Sequence, residues 1–272
     1  MKTHYMSKFS LKALFLTAIF SFATFSMTQA HEPIFGIGPR TIWQYGVGFE
    51  AGLNIQHYTR QALYEMDYHA IYGVTEDWSV SLSTHQPLNG HGANGTSFGN
   101  LGLSSKYRFF RNDVTGGVYH AAVLGGAELP TGDNNISTNT TDVFAGLSGA
   151  YEGRRWLMFA TARYRLNTNL NNVERGDVFL YDLALGIRPI LTDYYDPDIV
   201  LMAELNGQVF GSNQINGQTV QGTSGDRLFA GFGAWITWRN WAFKPGIQIP
   251  VYDNVGRENN VPRLTFAVEF HI

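Results

Sequence analysis

The stretch WQYGVGFEAGLNI, from Trp43 to Ile55, places a large or apolar residue at every odd position and a small or polar one at every even position. A period of two marks a strand with one apolar face, and the same period recurs along the chain. Ala62, Tyr64, Met66, Tyr68, Ala70 and Tyr72 share one parity, with Glu65, Asp67 and His69 between them. Trp78, Val80 and Leu82 alternate with serines, and Leu101, Leu103, Tyr107 and Phe109 alternate with Ser104, Lys106 and Arg108. Further strands are predicted over 117 to 128, where both parities are mostly apolar, and over 142 to 151, 156 to 166, 177 to 188, 198 to 209, 227 to 238, 241 to 251 and 263 to 272, which makes twelve.

The connections alternate as well. Those after even-numbered strands are mostly tight, such as VTED, EGRR and the Arg239-Asn240 pair. Most after odd-numbered strands are long and rich in Asn, Gly, Ser and Thr, such as HQPLNGHGANGTSFGN and GSNQINGQTVQGTSGD. HYTRQ is short for its place and RPILTDYYDPD long for its own. Short turns at one end and long loops at the other describe an all-β, antiparallel up-and-down barrel.

Size decides which face meets water. Twelve strands with about five apolar residues each, many of them aromatic, would overfill an interior, since eight strands already enclose a space that side chains just fill. The apolar face therefore points to lipid and includes Trp43, Tyr45, Val47, Phe49, Leu53 and Ile55. Runs of ten to thirteen residues suit a tilted transmembrane strand. Trp43, Tyr58, Tyr72, Trp78, Trp156, Trp238 and Trp241 lie near strand ends, where an aromatic girdle meets the headgroups.

Parity then assigns Glu50, Glu65, Asp67, His69, Lys106, Arg108, Arg163, Arg165, Asp182, Glu204, Lys244, Arg263 and Glu269 to a wet, crowded lumen. Two readings stay open at this point: a salt-bridge network that narrows a closed barrel, or a polar path for a solute. Acids on the first two strands opposite bases on the fourth and seventh would set a transverse field across such a path.

Composition adds a few exclusions. Charged residues are only 15% and hydrophobic residues 44%, with 30 glycines, which argues against disorder. Lys2, Lys8 and Lys12 precede the thirteen-residue apolar run ALFLTAIFSFATF, and Thr28-Gln29-Ala30 follows with small residues, so residues 1–30 read as a cleaved secretory signal rather than a spanning helix. Removing those three lysines takes the formal charge from −3 to −6, which gives no support for nucleic-acid binding. The chain has no cysteine, so it forms no disulfide and carries no lipoprotein anchor. Residues 31–42, HEPIFGIGPRTI, are too rich in Gly and Pro for a strand and are predicted to hang at the periplasmic end or to tuck into the lumen as a plug. His85, His91 and Ser97 raise the thought of a hydrolase, but they stand in loop sequence without a strand-anchored nucleophile. No metal or cofactor site is predicted.

The segments GNLGLSSKYRFFR, 99–111, and AAVLGGAELPTGD, 121–133, resemble the signature hairpin of the outer-membrane transporter family of the meta-pathway of phenol degradation. HEPIFGIGPRT resembles mature N-termini in part of that family. The resemblance implies a barrel in the outer membrane of a Gram-negative bacterium, inserted by the barrel assembly machinery with both termini periplasmic, and a channel for small aromatic or hydrophobic compounds; it brings no catalytic residue. The C-terminal TFAVEFHI departs from outer-membrane barrels in ending on Ile272, where an aromatic is usual. The resulting expectation is a non-enzymatic channel passing small-molecule solutes, with a closed barrel working through its loops as the alternative.

Overall fold

The computed structural model describes residues 32–57, 62–90, 95–133, 136–170, 172–193, 195–255 and 261–272. Residues 1–30, expected to be a cleaved signal, lie outside the described residues, as do His31, Tyr58 and His91. Twelve long strands carry the alternation: β1 (Val47–His57), β2 (Ala62–Gly73), β3 (Trp78–Pro87), β4 (Leu101–Val114), β5 (Gly117–Leu129), β6 (Asp142–Gly153), β7 (Trp156–Leu166), β8 (Val178–Ile187), β9 (Asp198–Phe210), β10 (Gly225–Trp238), β11 (Trp241–Asp253) and β12 (Arg263–His271). Each pairs antiparallel with its neighbours in sequence, and β12 closes on β1 in a register running from Gly48 opposite His271 to Gln56 opposite Arg263. The seam continues past the strands, where Ile272 N donates to Val47 O at 2.8 Å. Closure leaves no edge of unpaired backbone, which hydrocarbon would not tolerate.

Exposure confirms the facing that parity predicts. Phe49, Leu183 and Phe266 on the outer face are half exposed, whereas Glu204, Lys244 and Glu269 on the inner face keep 4%, 5% and 3% of their surface. A belt of exposed Leu, Val, Ile, Phe, Tyr and Trp circles the barrel. Such a continuous apolar surface is far larger than a soluble protein carries, so the barrel is built to stand in lipid. No helix among the described residues is long and apolar enough to cross a membrane; the crossing is made by strands.

Three features correct the sequence reading. First, β1 begins at Val47, not at Trp43. Gly46 N donates back to Trp43 O at 3.0 Å and Tyr45 takes φ 65°, so residues 43–46 form a turn that swings the chain out of the interior into the wall. Trp43 does not face lipid: its ring meets His271 edge-on at 6.0 Å over Gly46, and Gly73 lets the Trp43 carbonyl approach the wall. Second, the inward face is not polar throughout. Leu157, Phe159, Ala184, Val200, Met202, Trp235 and Ala242 form an apolar core inside the short-turn half of β7 to β11. Third, two long loops are partly ordered as paired ribbons. Residues 169–170, 173–174, 214–215 and 218–219 make a small four-stranded sheet beyond the barrel rim. Asn216 and Gly217, at φ 51° and 74°, form the turn of one ribbon, as an Asn-Gly pair favours in a two-residue hairpin loop. The long turn 188–198 is tied at its base by Arg188 Nε to Asp198 Oδ2 at 2.7 Å and holds Ile190, Leu191 and Tyr195 outward.

Candidate functional site

The N-terminal segment runs up the inside of the barrel from the short-turn end. Thr41 Oγ1 donates to Glu76 O at 2.6 Å at the rim, and Arg40 Nε pairs with Glu152 Oε1 at 2.9 Å just inside. Burial pulls the Arg40 pKa below its ordinary value, and the Glu152 carboxylate opposes that pull. Higher up, Ile37 O accepts from Ser148 Oγ at 3.1 Å and from Thr161 Oγ1. At mid-barrel Ile34 N and Phe35 N donate to the two oxygens of Glu204 at 2.6 and 3.1 Å. A Gly/Pro-rich segment forms no ladder of its own, so wall side chains satisfy its backbone groups. Glycines make the room: a Cβ on Gly231 would stand 2.7 Å from the Phe35 ring, and one on Gly233 2.4 Å from Ile34 Cδ1. Residues 34–40 thus occupy the β6 to β11 side of the lumen, with Ile34 packed on the apolar core below.

The charged residues assigned to the lumen fall into separate groups. Lys244 is fully enclosed between Glu50 Oε2 at 2.6 Å and Glu269 Oε2 at 2.7 Å, and Glu269 Oε1 meets His271 Nε2 at 2.7 Å. Arg163 Nη2 pairs with Asp182 Oδ2 at 3.0 Å, and Asp182 also accepts from Asn206 Nδ2 at 2.9 Å. Lys106 reaches Glu32 on the inserted segment. Asp67 accepts from Asn54, which in turn accepts from Thr265. Glu204 is held by the segment's backbone amides. Arg108 stays at the short-turn rim on Asp77 Oδ1 at 2.7 Å. Glu65, His69, Arg165 and Arg263 form no ion pair among the described residues. β1 and β7 stand six strands apart in either direction round the ring, so Glu50 and the arginine pair on β7 face one another; β2 and β4 are separated by one strand, and their charges do not.

Beside the inserted segment the lumen stays open as a cavity of about 450 Å³. It extends from Arg40, Ile42 and His271 near the short-turn end to Asn100, Glu128 and Asp142 near the long loops. Ser79, Ser81 and Ser83 on β3 and Ser104 on β4 line one wall, with Ser81 Oγ and Ser104 Oγ 2.5 Å apart. A second cavity of about 450 Å³ lies against Ile34 and Phe35, among Asp182, Arg227 and Arg263, and adjoins the first at Glu50, Asp67 and Arg163. His85, read from the sequence as part of a loop, instead lies on β3 opposite Asp67 and lines the first cavity, because β3 runs on to Pro87. Among the described residues no group of three His, Asp or Glu side chains is placed to hold a metal ion.

Several lumen partners were missed by reading parity alone. Glu152 and Asp142 are buried acids on β6 whose cations, Arg40 and Arg175, come from the inserted segment and from a loop. Arg227 and Asp253 pair across β10 and β11 at 3.1 Å. The inward serines and the glycine cradle were visible as polar or small positions alternating with apolar ones, but nothing local distinguishes a residue that seats a plug from one that merely faces water.

Fold and lumen together define a transmembrane β-barrel with a charge-lined, partly filled interior. No family model and no curated protein matches the chain. Among solved structures, the chain is similar to the crystal structure of an outer membrane channel from Pseudomonas putida F1, with a TM-score of 0.61 and 13% identity over 91% of this chain and 100% of that one. Weaker likenesses, too remote to argue from, include the translocator domain of the autotransporter NalP from Neisseria meningitidis (TM-score 0.38, 10% identity, 96% and 94% coverage) and Salmonella typhi OmpF (TM-score 0.37, 7% identity, 83% and 97% coverage). At 13% identity what the first of these shares with the chain is the β-barrel fold.

Proposed function

We propose that this chain is a passive channel of the Gram-negative outer membrane, with the short turns and both termini on the periplasmic side and the long loops outside. The observation that carries the reading is the serine-lined cavity, which runs beside the inserted segment from near one end of the barrel to near the other. A barrel whose charge network served only rigidity would gain nothing by leaving the β3 and β4 wall bare. The Lys106 to Glu32 pair spans this passage from wall to segment and forms its gate. Solutes are small, and their aromatic or hydrophobic character follows from the family resemblance of residues 99–111 and 121–133.

Planar-bilayer recording of the refolded mature chain tests this. Discrete conductance steps are expected, and Lys106→Gln should enlarge them or lengthen their open time by releasing Glu32. A silent barrel that is nonetheless folded and protease-resistant would favour the alternative, in which the long loops act as a binding surface on a closed barrel.

A further inference from the structure

Just inside the long-loop end, the wall of β5, β6 and β7 carries a recess that the ion-pair network leaves unused. We propose that this recess binds the carboxylate of a small planar organic acid, with Arg165 as its charge partner and Phe144 as the surface for its apolar body. This inference rests on the channel reading and names the class of solute that lodges in the passage.

Phe144 and Arg165 are direct cross-strand partners on the inner face, and both line the serine-walled cavity. The Phe144 ring leans away from Arg165, over Gly126, where a Cβ would meet ring carbon Cε1 at 2.5 Å. One step along the strands, the Arg163 side chain lies over Gly146, where a Cβ would meet its Cγ at 2.6 Å. The two glycines let the Phe144 ring and the Arg163 stem lie close against the wall, so the cavity stays open in front of them, and buried Leu124, opposite Gly146, adds an apolar patch to its lining.

Charge accounting singles out Arg165. Four lysines and arginines line this cavity, and three are paired: Arg40 with Glu152, Lys106 with Glu32 and Arg163 with Asp182. Among the described residues no hydrogen bond or ion pair reaches the half-buried Arg165 side chain, and the buried Nε of Arg163 beside it has no partner either. The lining acids are already served. Asp142 holds Arg175, Glu128 accepts from Asn100 Nδ2 at 3.0 Å, Glu50 holds Lys244, and Asp67 accepts from Asn54. A guanidinium presents five N–H donors in a planar fork that matches a carboxylate bidentately. Beside an aromatic ring it suits an acid whose body is flat and apolar, and a cavity of about 450 Å³ is of the size that holds a small organic ligand.

Isothermal titration of the refolded mature chain in micelles tests the site, with benzoate, its neutral analogue benzamide and inorganic phosphate as probes. Benzoate should bind saturably and at least about tenfold more tightly than either of the others, since a hydrogen bond to a charged group contributes that much. Arg165→Gln should cost benzoate about tenfold or more and leave benzamide unchanged, whereas Arg165→Lys, which keeps the charge and loses the fork, should fall between. Equal binding of benzoate and benzamide, phosphate binding as tight as benzoate, or indifference to Arg165→Gln in a heat-modifiable barrel would overturn the proposal. Conductance recorded on the same samples separates the two readings. A conducting barrel that ignores benzoate overturns only this site, and a silent barrel that binds it through Arg165 overturns only the channel.

Discussion

Lys244 and Glu204 are two ways in which a barrel interior carries a full charge. Lys244 is caught between two carboxylates, and removing it leaves Glu50 and Glu269 facing each other without a cation. Lys244→Met is therefore expected to cost about 3–5 kcal/mol in urea unfolding, with partial recovery when Glu269→Gln is added. Glu204 takes its compensation from backbone amides of the inserted segment, so its partner is a conformation and not a residue type. Facing can be tested at this scale as well. Leu183 lies midway along β8 on the lipid side, and Leu183→Arg should destabilise the inserted barrel by about 2–4 kcal/mol. Ser81→Arg, on the cavity wall, should insert normally and reduce conductance. Equal damage in a refolding assay would contradict the assigned faces.

At the scale of elements, the inserted segment and its glycine cradle behave as a unit. A Cβ on Gly246 would stand 2.9 Å from both Ile34 and Phe35, so Gly246→Val should unseat the segment while β11 stays paired with its neighbours. The expected result is faster proteolysis within residues 32–42 and larger single-channel conductance, with heat-modifiability retained. If protease resistance of that segment is unchanged, the cradle does not hold it. The strands themselves were legible from period two; the ribbon turning at Asn216-Gly217 was not, since its stretch reads from composition as a long loop. Nor was the apolar core under the segment. In VLMAEL on β9 and WLMFATA on β7 both parities are apolar near the strand end, so alternation loses its contrast where the lumen is sealed.

At the scale of the whole molecule, the barrel depends on a seam between its first and last strands. That seam pairs Gly48 with His271 and Gln56 with Arg263, positions more than two hundred residues apart, so it closes only after every strand between them is in place. The ring also decides which charges meet. Parity places Glu50, Arg163 and Arg165 inside, but only the circuit of twelve strands sets β1 opposite β7 and leaves β2 and β4 almost side by side.

Side-chain period is a local property of a few successive residues, so the sequence by itself determined strand number, facing, the two unlike ends and the need to close in lipid. Where the N-terminal segment lies, which cation meets which acid, which half of the lumen is filled and why Arg165 stays unpaired were decided only by the tertiary structure. Those outcomes depend on strand stagger and on the path of a chain with no period of its own, and both bring together residues more than a hundred positions apart, as Ile34 and Glu204 are.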